Sequence, residues 1–152
     1  MDGAQETGGK ERRRWMAVLA RASAGEIDAH LAALPAPPPY IRLRGPETGL
    51  VMVRGRAGGD GAPFNLGEMT VTRCAVRLAD GRVGHAYCAG RDARQAELAA
   101  LVDAMLLDPE SHSQVESRVI APLAQAQAAR REAEARRAAA TRVQFFTMTQ
   151  MR

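Results

Sequence analysis

The chain has little of what most often carries chemistry or staples a small fold. Among its 152 residues are two cysteines, Cys74 and Cys88, and aromatic residues make up 4%. The cysteines form no Cys-x-x-Cys pair and have no histidine at a zinc-ligand spacing, so no metal site is expected. They are expected to be buried small hydrophobes, unlinked and on opposite faces of a hairpin. No run approaches the ~18 apolar residues of a membrane span. The opening Met1-Asp2-Gly3-Ala4-Gln5-Glu6 lacks the apolar core of a signal peptide, so a cytoplasmic location with no membrane contact is expected. The glycine-rich run Gly55-Arg56-Ala57-Gly58-Gly59-Asp60-Gly61 is not followed by Lys-Ser/Thr or a helix start, so the phosphate-cradling pattern fails. A long hairpin loop is the better reading. No Gly-x-Ser-x-Gly elbow occurs. The histidines His30, His85 and His112 fall on different elements, His30 as a helix-surface group and His85 as a core residue opposite Val76. Nothing assembles a nucleophile, base and orienting group, and no internal repeat is found.

What is present is a chain able to build a core. Hydrophobic residues make up 46%, and the net charge is +4. Residues 1–21 carry five cationic side chains against three acidic ones. Residues 123–152 carry six arginines against Glu132 and Glu134. The middle is therefore acidic by two charges, and the positive charge sits on the two arms. Such arms fit nucleic acid, an anionic surface or an acidic protein partner.

Residues 48–105 organise the rest. Asp80-Gly81 between two strand-like runs is a strong hairpin signal. A two-residue loop there would pair Ala79 with Arg82, Leu78 with Val83, Val76 with His85 and Cys74 with Tyr87. Asp92 then caps a helix, with Gln95 at the capping-box spacing. Leu98, Leu101, Val102 and Met105 form its stripe, and Asp108-Pro109 ends it. In the preceding strand Met69 and Val71 share one parity while Cys74, Val76 and Leu78 share the other. This predicts a bulge or twist near Thr72-Arg73, or else a strand passing from one packing layer to another.

The remainder reads as follows. Residues 1–9 form a disordered leader. Residues 10–34 form a helical pair, with Trp15, Val18, Leu19 and Ala22 on one stripe and Ile27, Leu31 and Leu34 on the next. The Ser23/Glu26 spacing starts the second helix. Pro35-Ala36-Pro37-Pro38-Pro39 is a stiff connector at 35–39. An α+β core spans 40–122, with strands at 40–44 and 50–56 interrupted by Gly45-Pro46. A basic helical arm spans 123–152. Its alanine/arginine helix, 125–140, is stable by propensity and buries little. The apolar end, Val143, Phe145, Phe146 and Met148, should dock on this domain or on another chain. The expected fold is α+β: an antiparallel meander of three to four strands, packed by helices on one face.

The polar groups with a prospect of converging are Arg73, Arg77 and Arg91 with Glu68 and Asp92. They suit an anion such as a phosphonate, or an interface at which they pair with one another.

These runs together carry a resemblance. Glu47-Thr48-Gly49-Leu50-Val51, Gly58-Gly59-x-Gly61, Thr70-Val71-Thr72-Arg73, Ala75-Val76-Arg77-Leu78, Asp80-Gly81 and Gly90-Arg91-Asp92 resemble, in that order, the PhnG family of the carbon–phosphorus lyase system. So do Arg14-Trp15-Met16-x-Val18-Leu19-Ala20, Ile120-Ala121-Pro122-Leu123 and Arg142-Val143-Gln144-Phe145-Phe146-Thr147-Met148. The resemblance implies an accessory subunit of a complex with PhnH-, PhnI- and PhnJ-like chains, two copies per assembly. That complex displaces adenine from MgATP with an alkylphosphonate, and this chain needs no cofactor of its own. The alternative is a nucleic-acid-binding or scaffold module using the arginine-rich arms. Few aromatics interleave with its basic residues, which disfavours nucleic acid.

Overall fold

Three antiparallel strands, β1 (Tyr40–Gly55), β2 (Phe64–Leu78) and β3 (Val83–Ala89), lie in the order β1-β2-β3. Before them come α1 (Asp2–Leu19) and α2 (Ala24–Leu31). After them come α3 (Ala93–Leu106), α4 (Pro109–Val115), a π turn (Glu116–Ile120) and α5 (Ala121–Ala140). The computed structural model describes residues 2–58 and 60–142. The fold is the expected α+β one.

The hairpin forms at Asp80-Gly81, but with a three-residue loop. Leu78 N–H donates to Arg82 O at 2.9 Å, and Gly81 N–H donates to Leu78 O at 3.0 Å. Gly81 takes φ +94°. That is a turn closed by a left-handed glycine, the usual three-residue alternative to the tight two-residue loop. The extra residue moves the register by one: Arg77 pairs with Val83, Ala75 with His85, Cys74 with Ala86 and Arg73 with Tyr87. A one-residue slip transfers every side chain of a strand to the opposite face. Gly84, Ala86 and Cys88 therefore face the core, while His85 and Tyr87 face outward. Cys74 and Cys88 share the buried face as free thiols. His85 is thus not the expected core histidine.

The two strands expected at 40–44 and 50–56 are one. β1 runs through Gly45-Pro46 with register shifts between Arg42 and Arg44 and between Arg44 and Glu47. Proline cannot donate to a ladder and is tolerated at an edge or a bulge. The irregularity anticipated at Thr72-Arg73 lies on the facing strand instead. β2 itself passes from one packing environment to another.

The inner face of the sheet meets α3. Buried residues occupy this helix on nearly every side: Leu98, Leu101, Val102 and Met105, with Ala96, Ala99, Ala100 and Ala104 between them. A helix apolar all round belongs in the centre of a fold, and α1, α2 and α4 cover what the sheet leaves. Burying each large side chain contributes about 1.5–3 kcal/mol before entropy is counted. Trp15, Val18, Leu19, Ile27 and Leu31 join Cys74, Val76 and Leu78 in a single core, so the proline run connects the helical pair to the sheet without separating it. α1 begins at Asp2 rather than near Lys10. Extending an anchored helix costs far less than starting one. Ser23 and Glu26 form the expected capping box. Asp92 caps α3 through Gln95 N at 2.9 Å, but the Gln95 side chain does not return the bond. It donates to Ala20 O and Ala22 O instead, at 3.2 and 2.6 Å, fixing the end of α1.

Asp108-Pro109 ends α3 but also opens α4: Asp108 is the cap and Pro109 the first residue of the next helix. The polar stretch 111–118 is helical, and the arm helix starts at Ala121. Pro122 has no N–H, and its ring crowds the carbonyl four residues back, that of Arg118. That carbonyl lies in the π turn, where the wider spacing makes room.

One buried carboxylate ties the layers together. Asp103 on α3 is 0% exposed. It accepts from Arg12 Nε at 3.2 Å and Nη2 at 2.7 Å, from Trp15 Nε1 at 2.8 Å, and from His85 N–H at 2.8 Å. Close by, Gly84 lets α3 touch the sheet. A Cβ there would overlap Ala100 O and sit 2.6 Å from Ala104 N.

Three outcomes are expected in urea denaturation. Asp103→Ala should destabilise by about 3–5 kcal/mol, because it leaves Arg12 and two N–H donors without their partner. Gly84→Ala should destabilise by about 1–3 kcal/mol through overpacking. Gly49→Ala, with nothing within 4 Å of the added carbon, should stay within about 0.5 kcal/mol.

Candidate functional site

β3 is short. It pairs with β2 only from Val71 to Arg77, and the last link is Gly90 N–H to Thr70 O at 2.9 Å. Beyond that point, among the described residues, β1 and β2 continue alone, from Leu50 opposite Thr70 to Gly55 opposite Phe64. This two-stranded ribbon carries large apolar side chains in solvent: Leu50 63% exposed, Leu66 62%, Met52 56%, with Phe64, Met69 and Val53 beside them. An isolated two-stranded ribbon is marginally stable in water. Exposed apolar side chains grouped on both faces of one ribbon mark it as an interaction site.

The ribbon runs into the outer face of the sheet. By pairing, Ile41, Arg77 and Val83 share that face with Arg44, Ala75 and His85, and with Glu47, Arg73 and Tyr87. Glu47 is shared between Arg44 and Arg73, each with a nitrogen at 3.2 Å. Arg77 is exposed and forms no ion pair among the described residues. Tyr87 is 52% exposed. The face is cationic with aromatic and aliphatic insets, a composition common in protein interfaces.

The five polar candidates do not converge. Arg73 and Arg77 share the outer face, roughly 13 Å apart along the strand. Glu68 is exposed on the ribbon, Asp92 is occupied as a helix cap, and Arg91 is exposed where β3 meets α3. Val143, Phe145, Phe146 and Met148 lie outside the described residues. Sequence reasoning missed the ribbon itself. Its signal was Leu50-Val51-Met52-Val53, apolar on both parities, facing a strand whose own parity changes at Val71.

The basic arms are partly engaged within the fold. Arg12 binds buried Asp103, Arg14 reaches Glu116 at 2.7 Å, and Arg130 reaches Glu26 at 2.8 Å. These guanidiniums tie α1 and α5 to the body.

The root of β1 is held by a second carboxylate. Glu97 on α3 accepts from Tyr40 Oη at 2.7 Å and from Arg42 Nε and Nη2 at 2.9 and 2.8 Å. Burial pushes its pKa up, but the bonds from Arg42 and Tyr40 outweigh it and hold it below the ordinary value. Burial, with Glu97 beside it, raises the Tyr40 phenol. Burial also raises Cys74, and pushes Cys88 up to about 11, so both thiols are poor nucleophiles at neutral pH.

The family model described as "Phosphonate metabolism protein PhnG" matches residues 10–150. A protein from Rhizobium meliloti (strain 1021), "Alpha-D-ribose 1-methylphosphonate 5-triphosphate synthase subunit PhnG", is 48% identical over 147 residues. The match covers 94% of this chain and 91% of that relative.

The depressed Glu97 carboxylate sets an acid limb. A folded pKa below the unfolded one contributes stability above the unfolded value, lost as pH falls through the folded value. Melting temperature should therefore drop as pH goes below 4.5, the ordinary value. In Glu97→Gln that drop should be shallower and the neutral-pH melting temperature lower. Parallel curves for the two proteins would show that Glu97 does not carry the limb.

Proposed function

The chain belongs to the PhnG family of phosphonate metabolism proteins, and on that premise we propose that it is a subunit of an α-D-ribose 1-methylphosphonate 5-triphosphate synthase. The observation that carries the reading is the near full-length match to a relative named as such a subunit. The geometry supports an assembly role. An apolar ribbon is continuous with a cationic sheet face, and the polar candidates lie apart.

In this reading the complex acts on MgATP and an alkylphosphonate. A phosphonate oxygen forms a bond to the anomeric carbon of the ribose. The bond from that carbon to adenine breaks, and the base leaves with the electron pair and takes up a proton. The chain supports this transfer without supplying the catalytic groups and without a cofactor of its own. It works in the cytoplasm, in two copies, beside PhnH-, PhnI- and PhnJ-like chains. The outer sheet face, with Arg73 and Arg77, and the ribbon are its contact surfaces. An obligate subunit with a large apolar contact area has this character.

The test is co-purification from the native host of a tagged copy, followed by adenine release from MgATP and methylphosphonate. Three co-eluting partner chains are expected, with release that stops when this chain is omitted. Full release without it would overturn the reading. Arg73→Glu sets a second carboxylate beside Glu47 on an exposed face, where the lost ion pair contributes about 1 kcal/mol or less. Its melting temperature should stay within a few degrees of wild type while recovery of partner chains falls severalfold. Full recovery of the partners would remove Arg73 from the contact surface.

A further inference from the structure

The ribbon has an open edge as well as open faces. β3 reaches no further than Ala89, opposite Val71. Past it, the side of β2 facing away from β1 over residues 64–69 has no backbone partner among the described residues. The run there is Phe64-Asn65-Leu66-Gly67-Glu68-Met69. It contains no proline, lysine or arginine; its one charge is Glu68, and one register shift against β1 falls between Gly67 and Asn65. A strand laid along it would continue the sheet in line with β3.

The sequence holds a run that fits. Val143-Gln144-Phe145-Phe146-Thr147-Met148 is rich in β-branched and aromatic residues. It matches the open edge in length, six residues or about 20 Å. Val143 and Phe145 share one parity, Phe146 and Met148 the other, so the run is apolar on both sides. The ribbon is likewise apolar on both sides, with Leu50 and Met52 on one parity of β1 and Val51 and Val53 on the other. Arg142 precedes the run, and Glu68 on the edge makes no ion pair among the described residues, so the charges are complementary.

Where α5 goes decides which copy receives the strand. Its buried residues are Leu123 and Gln127 alone. Its holds are on α1 and α2: Gln127 Nε2 to Val18 O at 2.9 Å and Arg130 to Glu26. From Gln127 to Ala140 the helix runs a further ~20 Å without a buried residue. The run follows this unburied stretch in sequence, which favours a neighbouring molecule as its partner.

We propose that residues 143–148 of one copy add as a strand to the open edge of β2, residues 64–69, in a second copy. The exchange is reciprocal and gives a closed twofold dimer. It does not rest on the synthase reading.

Full-length chains test this. One tagged copy carries Leu66→Cys and the other Phe145→Cys, and the mixture is treated with a short bis-maleimide. Cys74 and Cys88 are buried, so background coupling is low. The expected product is a cross-link between Cys-substituted position 66 of one copy and position 145 of the other. Phe145→Asp combined with Phe146→Asp should weaken the sedimenting dimer by about tenfold or more, with the melting temperature unchanged. A wild-type chain that sediments as a monomer overturns the proposal. So does bridging within one chain when both cysteines are placed in the same copy, coupling of position 66 to position 66, or a dimer unaffected by the aspartates. Loss of the cross-link with adenine release intact would sink this inference and leave the synthase reading standing.

Discussion

The fold depends on one buried charge. Asp103 sits in the last turn of the central helix with no solvent, yet both its oxygens are occupied by donors from two other elements: Arg12 and Trp15 of α1, and the His85 amide of β3. An unpaired carboxylate in that position would cost several kcal/mol. Fully satisfied, it locates the first helix against the last strand and α3 between them. Charge-assisted bonds to a rigid indole and a forked guanidinium are directional, so Asp103 specifies an arrangement that apolar packing alone would leave loose. Glu97 does the same six residues earlier on α3, holding the first residues of β1.

With those two clamps set, the molecule divides into a half that is finished and a half that is not. Opposite β3 the sheet has three strands, a helix against its inner face and a close approach at Gly84. Past Thr70 it has, among the described residues, two strands and no cover. The same two strands serve both halves, so the ribbon is held rigidly at its root although its tip has little to hold it. Such a ribbon presents main-chain groups and apolar side chains already in strand geometry, which lowers the ordering cost when a partner binds.

Much of this was legible in the sequence, and the failures have physical reasons. Asp92 and Ser23 announced their helices because capping is local chemistry. The α3 stripe was correct and incomplete, since alanines between the large residues also let neighbours in close. Asp80-Gly81 gave the hairpin but not its register: two-residue and three-residue loops accept the same dipeptide, and the difference turned His85 and Tyr87 from core to surface. Arg73 and Arg77 were placed on one face by the period of the strand alone. Glu97 and Asp103 were not legible as clamps, because their donors lie 18 to 91 residues away. The family was legible in the order of short runs, none of which identifies it singly.

The π turn has a bearing on how the chain can change length. Val115, Val119, Leu123 and Gln127 are all buried and are spaced by fours. In an ordinary α-helix each such step drifts about 40° around the axis, roughly a third of a revolution over three steps. The wider turn at Glu116–Ile120 winds part of that drift back, and so keeps the four side chains on a common side. The helical rod from Pro109 to Ala140 therefore works as a phase-corrected shaft. Losing a single residue from the corrected turn would rotate everything beyond it by about 100°, carrying Gln127 off Val18 and Arg130 off Glu26. The length of this five-residue turn is thus fixed by the geometry of the contacts on either side of it.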